Sequence, residues 1–137
     1  MCTLPLKFIA YCLLVDGIER AKECLRTARS YGVNLFDNAE AYGTPYGEAE
    51  RIMGLAIEEL AKEDPELWRR SDLLISTKLY FTGKGVLNDV GLSAKHIAEG
   101  LDACLERLKV SYVDLLFCHR FGKLYTTVVY INLCTPS

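Results

Sequence analysis

The chain has 137 residues, 50% of them hydrophobic and 25% charged, and a formal charge of -2 from 16 basic and 18 acidic side chains. This is the composition of one ordinary globular domain with enough apolar surface for a core, and it excludes a disordered or collagen-like chain. The well-mixed charges form no basic footprint, so nucleic acid and anionic membrane are not expected as partners, whereas small neutral or anionic ligands are compatible.

Residues 1–16 contain the apolar run Phe8 to Val15 with a single preceding base, Lys7, and Asp16-Gly17 directly after it. No small-x-small cleavage site follows, and a bilayer span needs ~20 apolar residues, so a first strand or an irregular apolar lead-in is expected, with no membrane insertion. Asp16 is placed as the N-cap of a helix whose apolar face is Ile18, Ala21, Leu25 and Ala28, ended by Gly32 in the C′ position. A short strand, Val33 to Phe36, then closes at Asp37. Thr44-Pro45 is assigned as N-cap and N1 of a second helix, with Glu48 and Glu50 in its early turns and a stripe of Ala49, Ile52, Met53, Ala56, Ile57 and Leu60.

A polar loop follows, in which Trp68 is expected to pack under the sheet and Arg69-Arg70 to cap a helix C-terminus. The run Leu73 to Thr77 has the continuous apolar character of a buried parallel strand and delivers Lys78. Phe81 to Gly91, with Gly83, Gly85, Gly91 and Asn88-Asp89, is assigned as a loop and candidate flap. Ser93 caps a third helix with its face at Ile97, Leu101, Cys104, Leu105 and Leu108, and His96 is placed on its polar side, at the surface. A last strand, Val113 to Cys118, ends at His119. The six cysteines, Cys2, Cys12, Cys24, Cys104, Cys118 and Cys134, contain no CxxC pair and no zinc spacing. They read as free, mostly buried thiols suited to a reducing cytoplasm.

Strand starts near 33, 73 and 113 repeat at about one βα unit, which predicts an α/β fold with parallel strands and crossover helices. No GxGxxG or GxxxxGK[ST] loop follows any strand, so an open nucleotide-binding sheet is disfavoured and a closed barrel favoured. Asp37, Tyr42, Lys78 and His119 all fall at or just past C-terminal strand ends, where a β/α barrel keeps its catalytic groups. Their chemistry is coherent, because a phenol acts as a general acid near neutral pH only when a nearby cation stabilises its phenolate, and that cation needs an anchor.

Four ordered motifs then carry a resemblance. They are Gly32-Val33-Asn34-Leu35-Phe36-Asp37-Asn38-Ala39-Glu40-Ala41-Tyr42-Gly43, Ile75-Ser76-Thr77-Lys78, Gly91-Leu92-Ser93-Ala94-Lys95-His96-Ile97, and the run from Leu105 through Val113-Asp114-Leu115-Leu116-Phe117-Cys118-His119-Arg120. Together they resemble the aldo-keto reductases, in the branch that includes voltage-gated potassium-channel β subunits. The resemblance implies a (β/α)8 TIM barrel that binds NADPH without a Rossmann motif and reduces aldehydes or ketones. Tyr42 would be the general acid, Lys78 the cation that stabilises its phenolate, and Asp37 the anchor of Lys78 and a neighbour of the nicotinamide ribose. His119 would polarise the substrate carbonyl and orient the nicotinamide amide.

A barrel of this kind needs ~250 residues, so about its first four βα units are expected here. The expected organisation is a divergent segment 1–16, the N-terminal half of the barrel at 17–120, and a divergent tail 121–137 in which Phe121-Gly122 replaces the family's Pro-Asp. By the resemblance, most adenine and phosphate contacts would come from the other half. The chain is therefore expected to be an NADP(H)-dependent reductase impaired by truncation, a cofactor-sensing regulatory subunit with a channel-type partner, or a non-catalytic fragment. Open strand edges and the β-branched segment Leu124 to Ile131 point to self-association.

Overall fold

A computed structural model describes residues 8–10, 17–81 and 90–120. Its elements are β1 (Phe8–Ala10), α1 (Ile18–Ser30), β2 (Leu35–Asp37), α2 (Glu48–Glu63), a 3-10 turn (Arg70–Asp72), β3 (Leu74–Leu79), α3 (Ala94–Leu108) and β4 (Leu115–Cys118). The strands form one parallel sheet in the order β1-β2-β3-β4. Each strand lies beside its predecessor in sequence, and a helix follows each of the first three. A doubly wound sheet would reverse its strand order, so this monotonic winding is that of a partial (β/α) barrel. The Asp16 cap, the flap residues Gly83, Gly85 and Asn88-Asp89, and the tail Leu124 to Ile131 lie outside the described residues.

Helix α1 ends as expected at Gly32, whose φ of 78° is one that glycine adopts without penalty. Gly32 N–H donates to Arg29 O and Val33 N–H to Ala28 O, the paired bonds of a Schellman motif. Val33 is consequently spent on closing the helix, and β2 starts two residues later than the hydrophobic run suggests. At its other end α1 is preceded by Gly17, the N-cap residue. Helix α2 begins later than the Thr44-Pro45 assignment. Its N-cap is Gly47 in the left-handed region, and Thr44-Pro45, a cis peptide, belongs to the loop before it.

The core lies between the sheet and the helices. Phe36 and Ile75 pack with Leu25, Met53, Ala56 and Leu60 of α1 and α2, and Leu79 packs with Leu101 and Cys104 of α3. Trp68 is buried 6.4 Å from the Phe36 ring, with the Arg29 guanidinium over its face. The Arg69-Arg70 pair does not cap a helix. Arg70 joins Asp114 at 2.7 Å and donates to Leu73 O and Tyr112 O, tying the starts of β3 and β4 together, while Arg69 pairs with Glu66. Gly54 lets α2 meet α3 closely, since a Cβ there would lie 2.6 Å from the backbone of Arg107 and Leu108.

Of the cysteines among the described residues, Cys104 is buried and Cys24 half-buried. Cys118 is exposed, against the expectation of burial, because β4 is the last strand of the described sheet and its final residues are uncovered. No helix among these residues is long and apolar enough to cross a membrane, and no His, Cys, Asp and Glu grouping there could hold a metal ion.

Candidate active site

Strand β3 runs between two different chemistries because successive side chains point to opposite faces. Ser76 and Lys78 share one face; Ile75, Thr77 and Leu79 share the other, toward the helices. Asp37 is in register with Ser76 across the β2–β3 ladder. Ser76 Oγ donates to Asp37 Oδ1 at 2.6 Å, leaving Oδ2 for the Lys78 ammonium, which also donates to Asn38 O at 2.8 Å. Both charges are largely buried, Lys78 with 17% and Asp37 with 6% of its side chain exposed, so each needs the other.

The loop after β2 returns over this pair. Tyr42 N–H donates to Ala39 O, and Ala49 N–H of α2 donates to Tyr42 O, which fixes the loop at both ends. Gly43 has a φ of 94°, and a Cβ there would lie 2.8 Å from Ala49 N, so the turn beside Tyr42 requires glycine. The result is a Tyr42 ring whose centroid lies 4.9 Å from Lys78 Nζ. His119, just past β4, meets the same ring edge-on at 5.8 Å, and Phe81 meets His119 at 5.7 Å. All four residues singled out in the sequence thus converge at the C-terminal edge of the sheet.

His119 is held by its own N–H, which donates to Leu79 O at 3.0 Å. Its Nδ1 is buried without a hydrogen-bond partner among the described residues. Burial lowers its pKa below the ordinary 6.5, with Lys78 and Arg120 adding to the effect and Glu40 and Asp37 opposing it. The ring is therefore neutral at pH 7. A neutral imidazole carries one N–H donor and one acceptor, suited to polarising a carbonyl oxygen without delivering a full proton.

The chain has relatives. The Aldo/keto reductase family model matches residues 18–132. The chain belongs to the aldo/keto reductase family. A "probable voltage-gated potassium channel subunit beta" of Arabidopsis thaliana is 53% identical over 103 residues, which is 75% of this chain and 29% of that protein. One of the same description from Oryza sativa subsp. japonica is 50% identical over the same shares. The chain thus spans about 29% of the length of these relatives. A solved Pseudomonas aeruginosa structure assigned to the aldo-keto reductases aligns with a TM-score of 0.60 at 26% identity, over 80% of this chain and 37% of that one.

Two buried polar clusters of this aldo/keto reductase chain escape the sequence-based reading. His96, placed at the surface from its position beside a polar helix start, is 3% exposed, with Nε2 3.3 Å from Glu40 Oε1. Glu50, taken as an early-turn helix acid, is fully buried; it accepts from Thr77 Oγ1 and, at 2.7 Å, from Arg107 Nε. Burial pushes the Glu50 carboxyl up, against the pull of Arg107 and Thr77. A signal for both existed. Gly100 and Cys104 follow His96 at four-residue intervals, and Met53 and Gly54 follow Glu50 on adjoining turns, so small or apolar residues share each face.

Proposed function

We propose that this chain carries the acid–base part of an NADP(H)-dependent carbonyl reductase site, with Tyr42 as general acid, Lys78 as its cation, Asp37 as the anchor of Lys78, and His119 as the carbonyl polariser. The observation that supports it is one contact set: the Lys78 ammonium is salt-bridged to Asp37 and lies 4.9 Å from the Tyr42 ring, which also carries His119 on its edge. As the substrate carbonyl carbon becomes an alkoxide carbon, its oxygen takes the proton from Tyr42 Oη. Lys78 stabilises the phenolate left behind, and Asp37 holds Lys78 in place by their ion pair. Neutral His119 donates a hydrogen bond to the same oxygen, where negative charge grows in the transition state.

The residues at this edge fit a nicotinamide. His119 Nδ1 is a buried polar atom without a protein partner among the described residues, and the aromatic rings of Tyr42, Phe81 and His119 form an apolar wall. Asp37 and His119 would hold the nicotinamide ribose and amide, and NADPH when bound supplies the hydride. The substrate class is a small aldehyde or ketone. Free thiols at Cys24, Cys104 and Cys118 are consistent with a reducing, cytoplasmic setting.

A second reading is favoured by the relatives' description as potassium-channel β subunits at 50–53% identity. In it, cofactor occupancy is the signal to a channel-type partner and turnover is slow. Titration of the purified chain with NADPH, followed by nicotinamide fluorescence, tests both: no binding at high micromolar cofactor removes the reductase and the sensor together and leaves a non-catalytic fragment. Where binding occurs, Tyr42→Phe is expected to abolish aldehyde reduction and leave binding intact. Unchanged turnover would overturn the assignment of the acid.

A further inference from the structure

The mechanism above leaves one buried carboxylate at the site without a task. Glu40 lies two residues before Tyr42, is 5% exposed, and points away from Lys78 toward α3. Its backbone sits in the continuing β2–β3 ladder. Asn38 N–H donates to Ser76 O at 2.9 Å, and Glu40 N–H donates to Lys78 O at 3.1 Å. In a regular parallel ladder the next bond runs from Tyr80 N–H to the main-chain carbonyl of Glu40. Here Tyr80 N–H donates instead to the Glu40 side chain, at Oε1.

The substitution has a geometric consequence. A main chain that supplied its own carbonyl to Tyr80 would have to continue as a strand through Glu40. Because the carboxylate supplies the acceptor, the main chain is free to leave the sheet, and it turns at once: Tyr42 N–H closes back onto Ala39 O. That turn is what lays the Tyr42 ring over Lys78 and against His119. The carboxylate is steadied from behind by His96 Nε2 at 3.3 Å, and Gly100 leaves it room, since a Cβ there would lie 3.5 Å from Glu40 Oε2 and 3.3 Å from His96 Cε1.

We propose that Glu40 is a positioning residue for Tyr42: its carboxylate, backed by His96, replaces a backbone carbonyl at the end of the β2–β3 ladder and so releases the main chain to bring the tyrosine over Lys78. The proposal rests on the assignment of Tyr42 and Lys78 as the acid and its cation, but the role of Glu40 can be read without turnover. What matters is an acceptor oxygen at the right reach, not the negative charge. Gln preserves that oxygen; Asp preserves the charge but falls one methylene short; Ala supplies neither.

The experiment compares the full chain with Glu40→Gln, Glu40→Asp and Glu40→Ala. It reads the nuclear Overhauser contact between the Tyr42 and His119 rings, the affinity for NADPH, and kcat for aldehyde reduction. Glu40→Gln is expected to keep the ring contact and kcat. Glu40→Asp and Glu40→Ala are expected to lose the contact and lower kcat about 100-fold, the scale of a misplacement near 1 Å, with NADPH affinity falling much less than kcat. Should Glu40→Ala fail to fold, the Asp and Gln pair decides alone. Retention of the ring contact in Glu40→Asp, or its loss in Glu40→Gln, would overturn the proposal. A chain that shows no turnover at all refutes the reductase assignment, while the ring contact still decides the part played by Glu40.

Discussion

Arg107 on α3 and Glu50 on α2 form a buried clamp, in which Nε and Nη2 each lie 2.7 Å from the same carboxylate oxygen, Oε2. The other oxygen, Oε1, accepts from Thr77 of β3. One carboxylate therefore joins two helices and the strand that carries Lys78, and it does so on the face opposite the site. Position on the strand is the connection: Thr77 turns toward the clamp and Lys78 toward Tyr42.

Breaking this clamp from one side is expected to be costly. Glu50→Ala leaves the Arg107 guanidinium partly buried with no carboxylate, which costs ~3 kcal/mol at the lower end of the range for buried pairs, because 27% of the Arg107 side chain reaches solvent. The double variant Glu50→Ala with Arg107→Met removes the stranded charge and should recover part of that loss. Urea denaturation of the four species in a double-mutant cycle measures it, and additive losses would show that the two side chains do not act as a pair.

His119 gives a pH prediction with a definite sign. Burial first, then Lys78 and Arg120, place its folded pKa below 6.5. A group depressed in this way contributes stability that is fully present above its unfolded value, near 6.5, and is lost as pH falls through the folded value. The chain has only two histidines, so the titration is easily resolved by NMR of the imidazole Cε1 signals. The expected midpoint for His119 is below 6.5, rising when Lys78→Met removes the nearby charge. A midpoint above 6.5 would contradict the neutral imidazole of the proposed role, in which His119 polarises a carbonyl without delivering a full proton.

Ser76 is expected to act through Asp37. Its hydroxyl is the donor at 2.6 Å to Asp37 Oδ1, in a site where Ser76 is completely buried. Ser76→Ala takes the hydroxyl donor from that oxygen and should lower stability by ~1–3 kcal/mol or more, the range for a buried acceptor left unmatched, with charged groups at its upper end. With Asp37 less firmly oriented, the Lys78 contact loosens as well. The proposed carbonyl reduction should therefore fall more than the proposed NADPH binding does, and equal losses in both would point to general unfolding.

The sequence was most informative where local rules and burial agree. Ser93 caps α3, with its hydroxyl accepting from His96 N–H at 3.1 Å, and Gly32 closes α1, because each capping bond is local. The convergence of Asp37, Tyr42, Lys78 and His119 could be anticipated because strand ends of a parallel sheet lie together. What local rules could not supply was pairing across elements. His96 and Glu40 are 56 positions apart and Glu50 and Arg107 are 57, and a charged side chain by itself favours a solvated position. The start of α2 was misplaced for a related reason. Thr44-Pro45 has the composition of a helix start, but the Gly43 and Gly47 positive-φ turns, set by the close approach of the loop to α2 and Arg107, delay the helix to Glu48.

Gly54 supplies the last prediction, and here two effects of opposite sign must be weighed. In an exposed helix interior, Gly→Ala stabilises by about 1 kcal/mol through lost unfolded-state freedom. At Gly54 the new methyl would lie 2.6 Å from Arg107 O and from the carbonyl carbon and oxygen of Leu108. Those are backbone atoms of the last turn of α3, which can move only if the helix moves, so overpacking of roughly 1–3 kcal/mol or more should outweigh the propensity gain. Separation of α2 from α3 would also stretch the Glu50–Arg107 clamp one turn away. Gly54→Ala should consequently lower Tm, whereas Gly100→Ala, facing only Leu79 Cδ2, His96 Cε1 and Glu40 Oε2 at 3.2–3.5 Å, meets side-chain ends that can yield and should do less harm. Thermal melts of the two variants decide the order, and a Gly54→Ala chain as stable as the parent would mean that α2 and α3 do not pack this closely.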